Sequence, residues 1–226
     1  MTSIPSVSQT AHRVRSSASI HSLVAGFFLC AVFSSLPASA QTATQPSAPA
    51  NPVASALAKL IPEQSTITFT SKQMGVPVDG KFTKFDAQVS FDAAKLATSK
   101  VNFTVDIASA TLGDKATDAE LPKAPWFNTA KFPQATFASS SIKALGAGKF
   151  EVAGKLSIKG VAQDVAVPVA MTQAGAGAAA VTTAVGTFPM KRLTYKIGEG
   201  EWADTSMVAD PVQVKFKLAL TGINKL

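Results

Sequence analysis

Residues 212–220 read Val-Gln-Val-Lys-Phe-Lys-Leu-Ala-Leu, and this stretch decides the fold class. Val212, Val214, Phe216, Leu218 and Leu220 fall on one parity, with Gln213, Lys215 and Lys217 on the other. A period of two with lysines between large apolar residues describes a strand with one dry face and one wet face. The pattern recurs upstream. Phe85, Ala87, Val89 and Phe91 alternate with Asp86, Gln88, Ser90 and Asp92, and Val101, Phe103, Val105 and Ile107 with Asn102, Thr104 and Asp106. Residues 66–70, 150–158 and 165–171 alternate likewise, and 135–143 and 178–190 bring the count to eight strands. Gly146-Ala147-Gly148 and Lys159-Gly160 are hairpin-turn signals, and Pro168 within a strand calls for an edge position or a bulge. Eight such strands close as a barrel or stack as a sandwich, and alternation alone does not choose.

Two connections are long for a β domain. Residues 111–133 start with helical character and carry Trp126, Phe127 and Phe132. Residues 191–211 hold the sole Tyr, Arg192 and Trp202. Long connections in compact domains usually serve function or plug an end.

The N-terminus has a different grammar. Arg13 and Arg15 precede the apolar run 20–33, and Pro37 precedes Ala38-Ser39-Ala40. This is the order of a secretory signal peptide over residues 1–40, its apolar run too short to span a bilayer. Residues 41–58, rich in Ala, Pro, Ser and Thr and without charge, read as a flexible linker. The remaining residues, 59–226, read as one domain. The 226-residue chain has a net charge of +7, is 46% hydrophobic and only 15% charged, with 14 Phe against two Trp and one Tyr.

Cleavage after Ala40 removes Cys30, His12 and His21, leaving neither cysteine nor histidine, and Arg192 as the sole arginine. That inventory excludes thiol catalysis and disulfides, and leaves no imidazole for a Ser–His–Asp triad or the usual zinc and haem sites. Scattered lysines with one arginine are a poor nucleic-acid surface. Ser140-Ser141-Ile142-Lys143 matches S-x-x-K, but it lies on a strand and no companion motif exists. The acidic trio Asp114, Asp118 and Glu120 reads as first-turn helix charges rather than a metal site. Lys155, Lys159, Lys215 and Lys217 lie on outward parities and read as solvated surface, with weak attraction to anionic headgroups at most.

The order of short motifs across residues 60–225 resembles the YceI-like family of secreted bacterial proteins. Those motifs are Ser65-Thr66-Ile67-Thr68-Phe69, Gly80-Lys81-Phe82, Val89-Ser90-Phe91-Asp92, Asp118 with Leu121, and Trp126-Phe127-Asn128. They continue with Phe132-Pro133-Gln134-Ala135-Thr136-Phe137, residues 154–160, residues 192–198, Trp202 and Val208-Ala209-Asp210. The resemblance implies an all-β, eight-stranded antiparallel lipocalin-like barrel, with a short helical connection between strands 3 and 4. It also implies residence in the periplasm, no catalytic centre, no cofactor, and an apolar interior that takes a long isoprenoid or fatty chain. Thr117, Thr194 and Lys196 depart from the family's usual Arg, Asp and Gly at those places.

The expected function is therefore a periplasmic binding or carrier protein for a long-chain isoprenoid or related amphiphile. The alternatives are a stress-induced barrel packed with its own side chains and, more remotely, a carboxylate-based isomerase or hydrolase. Expected ligand-lining residues are Phe69, Phe85, Phe103, Val105, Phe137, Phe150, Val152, Met190, Arg192, Trp202 and Phe216. The small inward residues Val105 and Val152 leave room in an eight-stranded interior. Arg192 shares parity with Phe188 and Met190 and is expected to point inward. There it either holds a ligand's polar head, or pairs with a carboxylate, or stacks on Trp202 or Trp126. Residues 191–210 are expected to gate one end of the barrel, with Trp202 as the apolar anchor.

Overall fold

The computed structural model describes residues 57–224 and Leu226; the expected signal peptide and nearly all of the expected linker lie outside them. Among the described residues eleven strands alternate much as the sequence dictates. They are β1 (Lys59–Leu60), β2 (Thr66–Gln73), β3 (Val76–Phe82), β4 (Phe85–Ser90), β5 (Lys100–Asp106) and β6 (Ala110–Thr111). After the one-turn helix α1 (Lys115–Asp118) come β7 (Gln134–Gly146), β8 (Lys149–Ile158), β9 (Val161–Ala174), β10 (Val181–Lys191) and β11 (Pro211–Thr221).

All pair antiparallel in one sheet of order β4-β5-β7-β8-β9-β10-β11-β2-β3-β6, with β1 alongside β11. The sheet curls until its edges are tied at two places. At one, β1 pairs with β11 while Ala58, the residue before it, bridges Val89 on β4. At the other, β6, which follows β5 through a single 3₁₀ turn, pairs with β3 (Lys81 opposite Thr111, Phe82 opposite Ala110). The result is the lipocalin-like barrel, with the helical connection between the strands containing Val105 and Phe137, as expected.

The count of eight was short by three. β1 and β6 have two residues each, below the length at which alternation can be seen. β3 was missed because Pro77, Asp79 and Gly80 are turn signals. The pairing of Thr70 with Asp79 and Phe69 with Gly80 shows that it is a strand all the same. Ala58 also moves from linker to fold: it is buried, and its N–H donates to the Val89 carbonyl at 2.6 Å.

The turn chemistry holds. Lys159 (φ 47°) and Gly160 (φ 76°) join β8 to β9 as a two-residue hairpin, the left-handed geometry whose twist suits flanking strands. Pro168 lies where β9 parts from β10: the last β9–β10 pair is Val169 with Gly186. Its missing N–H therefore faces no partner on that side.

Candidate functional site

The curled sheet encloses a cavity of about 650 Å³, within the range of small-molecule sites. The inward parities build its wall, as the alternation requires. Every expected lining residue except Phe85 borders it: Phe69, Phe103, Val105, Phe137, Phe150, Val152, Met190, Arg192, Trp202 and Phe216. Phe85 shares the inward parity of Val89 and Phe91, but it stands at the start of β4. Its ring packs on Phe103 at 5.9 Å and borders a shallow groove with Ser65 and Lys81 instead.

One end is closed. Phe91 meets Phe150 edge-on at 5.1 Å, among Ala58, Leu60, Leu220 and Ile223. Gln173 fastens the chain end there, its Nε2 donating to the Ile223 carbonyl and the Thr182 hydroxyl, both at 3.1 Å. The lining at the opposite end carries the polar side chains Ser71, Gln73, Thr117 and Glu120, and the exposed Ala116. β3–β6 pairing sets the α1 connection beside the β2–β3 hairpin, so these groups form a mouth. Sequence reasoning missed the mouth because its residues come from β3's hairpin and from an irregular connection without periodicity. Only the position of Thr117 beside Asp118 offered a signal.

Arg192 is inward and 2% exposed, but it holds neither a carboxylate nor a tryptophan face. All five of its N–H groups donate to main-chain carbonyls of the loop that follows it. Nε reaches Ala209 at 3.1 Å, Nη1 reaches Ile197 at 2.8 Å and Gly198 at 3.2 Å, and Nη2 reaches Trp202 at 2.7 Å and Val208 at 2.6 Å. Gly198 has φ 77°, and a Cβ there would stand 2.2 Å from Nη1, so glycine makes room for the guanidinium. Burial pushes the guanidinium pKa down, and the charge of Asp210 opposes this. With its donors spent on the loop, Arg192 has none left for a ligand's head.

The segment expected to act as a gate is held at many points. Residues 191–210 are fastened from beneath by Arg192 and from the sides by β-bridge Gln73–Val208 and by N–H groups of Gly198 and Glu199 on the Pro125 carbonyl, both at 2.9 Å. Trp202 packs on Trp126 with centroids 5.3 Å apart. The buried Trp126 Nε1 has no acceptor among the described residues.

Lys159 departs from the expectation. Its side chain is 4% exposed, not solvated. Nζ donates to the carbonyls of Ala124 (2.9 Å), Pro125 (3.3 Å) and Lys196 (2.6 Å), and pairs with Glu199 at 2.9 Å. Parity failed here because Lys159 belongs to the turn, where its left-handed φ swings the side chain under the loops. Lys155 pairs with Asp164 at the surface, and Lys215 and Lys217 are exposed, as expected.

The acidic trio is consumed structurally. Asp114 caps α1 through the Thr117 N–H and hydroxyl, both at 2.8 Å, which lowers its carboxyl pKa. Asp118 accepts from the Leu112 N–H and the Thr111 hydroxyl, both at 2.6 Å, and Glu120 pairs with Lys123. Among the described residues no cluster of three or more His, Cys, Asp or Glu forms a metal site, and no helix is long and apolar enough to cross a membrane. Ser140 donates to the Ala153 carbonyl while Lys143 pairs with Glu151, so the S-x-x-K residues do not engage each other.

A model of the YceI-like domain matches residues 59–220. A UPF0312 protein of Shewanella baltica is 32% identical over 166 residues, spanning 71% of this chain and 83% of its own. The crystal structure of BcnA from Burkholderia cenocepacia superposes with a TM-score of 0.66 at 46% identity, over 71% of this chain and 98% of BcnA. A polyisoprenoid-binding domain from Saccharophagus degradans, at 16% identity, superposes with a TM-score of 0.59 over 73% of this chain and 97% of its own, a likeness of fold.

Proposed function

The chain belongs to the YceI-like domain family, and on that footing we propose that it is a periplasmic carrier that holds a long isoprenoid or related amphiphile inside its barrel. The observation that carries this reading is the cavity itself: about 650 Å³, walled by Phe, Val, Ile, Leu and Met, closed at one end and polar only toward the other. A hydrocarbon chain needs a dry tube and no catalytic group. Burying about ten methylenes contributes roughly 8 kcal/mol before association and ordering costs are subtracted. The name of the Saccharophagus degradans neighbour, a polyisoprenoid-binding domain, agrees with such an occupant.

The polar mouth fits a neutral head that exchanges hydrogen bonds with Ser71, Gln73, Thr117 or Glu120. Among the described residues no lysine borders the cavity, and the Arg192 guanidinium is spent on carbonyls, so a phosphate head finds no cation among them along the wall. Among the described residues of the lining no nucleophile is paired with a base, which supports a binding rather than a catalytic role. Native mass spectrometry of protein purified without detergent tests the proposal. A retained lipid, seen as added mass that an organic extraction removes, is the expected result. A single species at the polypeptide mass that takes up no added prenyl alcohol would favour a barrel without a ligand.

A further inference from the structure

Three inward-facing glycines interrupt the apolar wall, and each has a phenylalanine ring lying where its side chain would be. A Cβ on Gly80 would stand 2.2 Å from Cζ of Phe69, its direct partner across β2–β3. On Gly186 it would stand 2.3 Å from Cζ of Phe216, its direct partner across β10–β11. On Gly154 it would stand 2.6 Å from Cζ of Phe137, on the adjoining strand β7. Cross-strand Cβ atoms are normally about 5 Å apart. A ring tip so close to a neighbour's Cβ position has turned sideways, along the sheet rather than into the lumen. The glycines sit on β3, β8 and β10, spaced round the barrel, so the folded-back rings widen it from several sides.

We infer that these glycine–phenylalanine pairs set the bore of the cavity, and that the bore selects a methyl-branched chain over a straight one. A straight chain passes a narrower tube; branching methyl groups need the width that three flattened rings leave. The inference rests on the reading of the barrel as a lipid carrier. At Gly154 and Gly186 a Cβ would also meet backbone carbonyls, Ala138 O at 2.4 Å and Pro168 O at 2.7 Å, so those glycines serve close chain approach as well. At Gly80 the nearest atoms are all side-chain tips, those of Phe69 and Leu112. Phe69 already packs on Phe82 at 5.3 Å, so a methyl on Gly80 drives its ring toward the lumen.

The test compares binding of geranylgeraniol with that of the straight-chain alcohol of the same backbone length, using lipid-free mature protein. Gly80→Ala is expected to weaken the branched alcohol about 10- to 200-fold, the scale of a misfitted methyl group, with a much smaller loss for the straight one. The double variant Gly80→Ala with Phe69→Leu removes the displaced ring, and it is expected to fold and to regain the branched ligand. Equal losses for both alcohols, unchanged binding of both, or failure of the double variant to restore the branched ligand overturn the assignment of the bore. Wild-type protein that takes up neither alcohol overturns the carrier reading itself, and the bore inference with it.

Discussion

Lys159 and Glu199 meet at 2.9 Å from opposite conditions: the lysine side chain is 4% exposed, the glutamate 52%. The lysine sits in a hairpin turn, yet its ammonium reaches under two separate loops, donating to carbonyls of residues 124, 125 and 196 as well as to the carboxylate. It is a staple for the plugged part of the barrel end. Without it, the Ala124 and Lys196 carbonyls lose this donor, while Pro125 keeps the N–H groups of Gly198 and Glu199, and buried acceptors left unpaired are costly.

Lys159→Met keeps the apolar stem and removes the donors. We expect it to destabilise the protein by about 1–3 kcal/mol, measured by urea denaturation. A variant as stable as wild type would show that the carbonyls find other donors and that the staple is redundant.

The same pair gives a pH dependence with a definite sign. The hydrogen bond and charge of Lys159 hold the Glu199 carboxyl below the usual glutamate value. A depressed carboxylate pKa contributes stability that is present in full above the unfolded-state value and is lost as pH falls through the folded-state one. Glu199→Gln should therefore melt below wild type at neutral pH, with the difference closing in acid. A gap that stays constant, or widens, as pH falls contradicts this.

Arg192 yields the clearest separation of structural from ligand-holding roles. Arg192→Lys supplies three donors in place of a planar five-donor fork. It should cost more than about 3 kcal/mol in urea denaturation, because several buried carbonyls lose their partners. If Arg192 instead held the ligand's head, Arg192→Lys would lower affinity while leaving the melting temperature in place.

How much of this was legible in the sequence follows from the length over which each signal extends. β11 announces itself because five apolar residues alternate across its length, and the long strands carrying Phe103 and Phe150 do the same. Parity then placed Val105, Val152 and Phe216 on the cavity wall, since a strand leaves only two choices of face. It could not place Phe85, whose position at a strand end decides its surroundings, nor Lys159, whose orientation comes from a positive φ. The five partners of Arg192 span residues 197–209 of an irregular loop, where no period exists. The inward direction of Arg192 was readable; what it met there was not.

Val152→Trp examines the hollow directly. Val152 borders the cavity and is buried opposite Val167 on β9. Overpacking a filled core costs about 1–3 kcal/mol, whereas a ring entering empty space should leave stability nearly unchanged. We expect a folded barrel with a normal melting temperature that retains no lipid in native mass spectrometry. Full lipid retention would place the ligand elsewhere.

Trp202 is expected from the sequence to anchor a lid, its surroundings favour a fixed plug, and the two roles predict different kinetics. Its carbonyl is held by Arg192 Nη2 at 2.7 Å, its ring packs on Trp126, and the loop on either side is bound to Pro125 and to β2. Opening this segment would break the Arg192 hydrogen bonds together, so it is a poor route for exchange. The partly exposed polar mouth between the β2–β3 hairpin and α1 is the better one. Trp202→Ala should therefore lower stability by about 2–4 kcal/mol, the range for losing a half-buried indole from a packed site. Release of a bound fluorescent fatty alcohol in stopped flow should stay at the wild-type rate. Faster release at an unchanged melting temperature would mean that the loop does open and that Trp202 holds it shut.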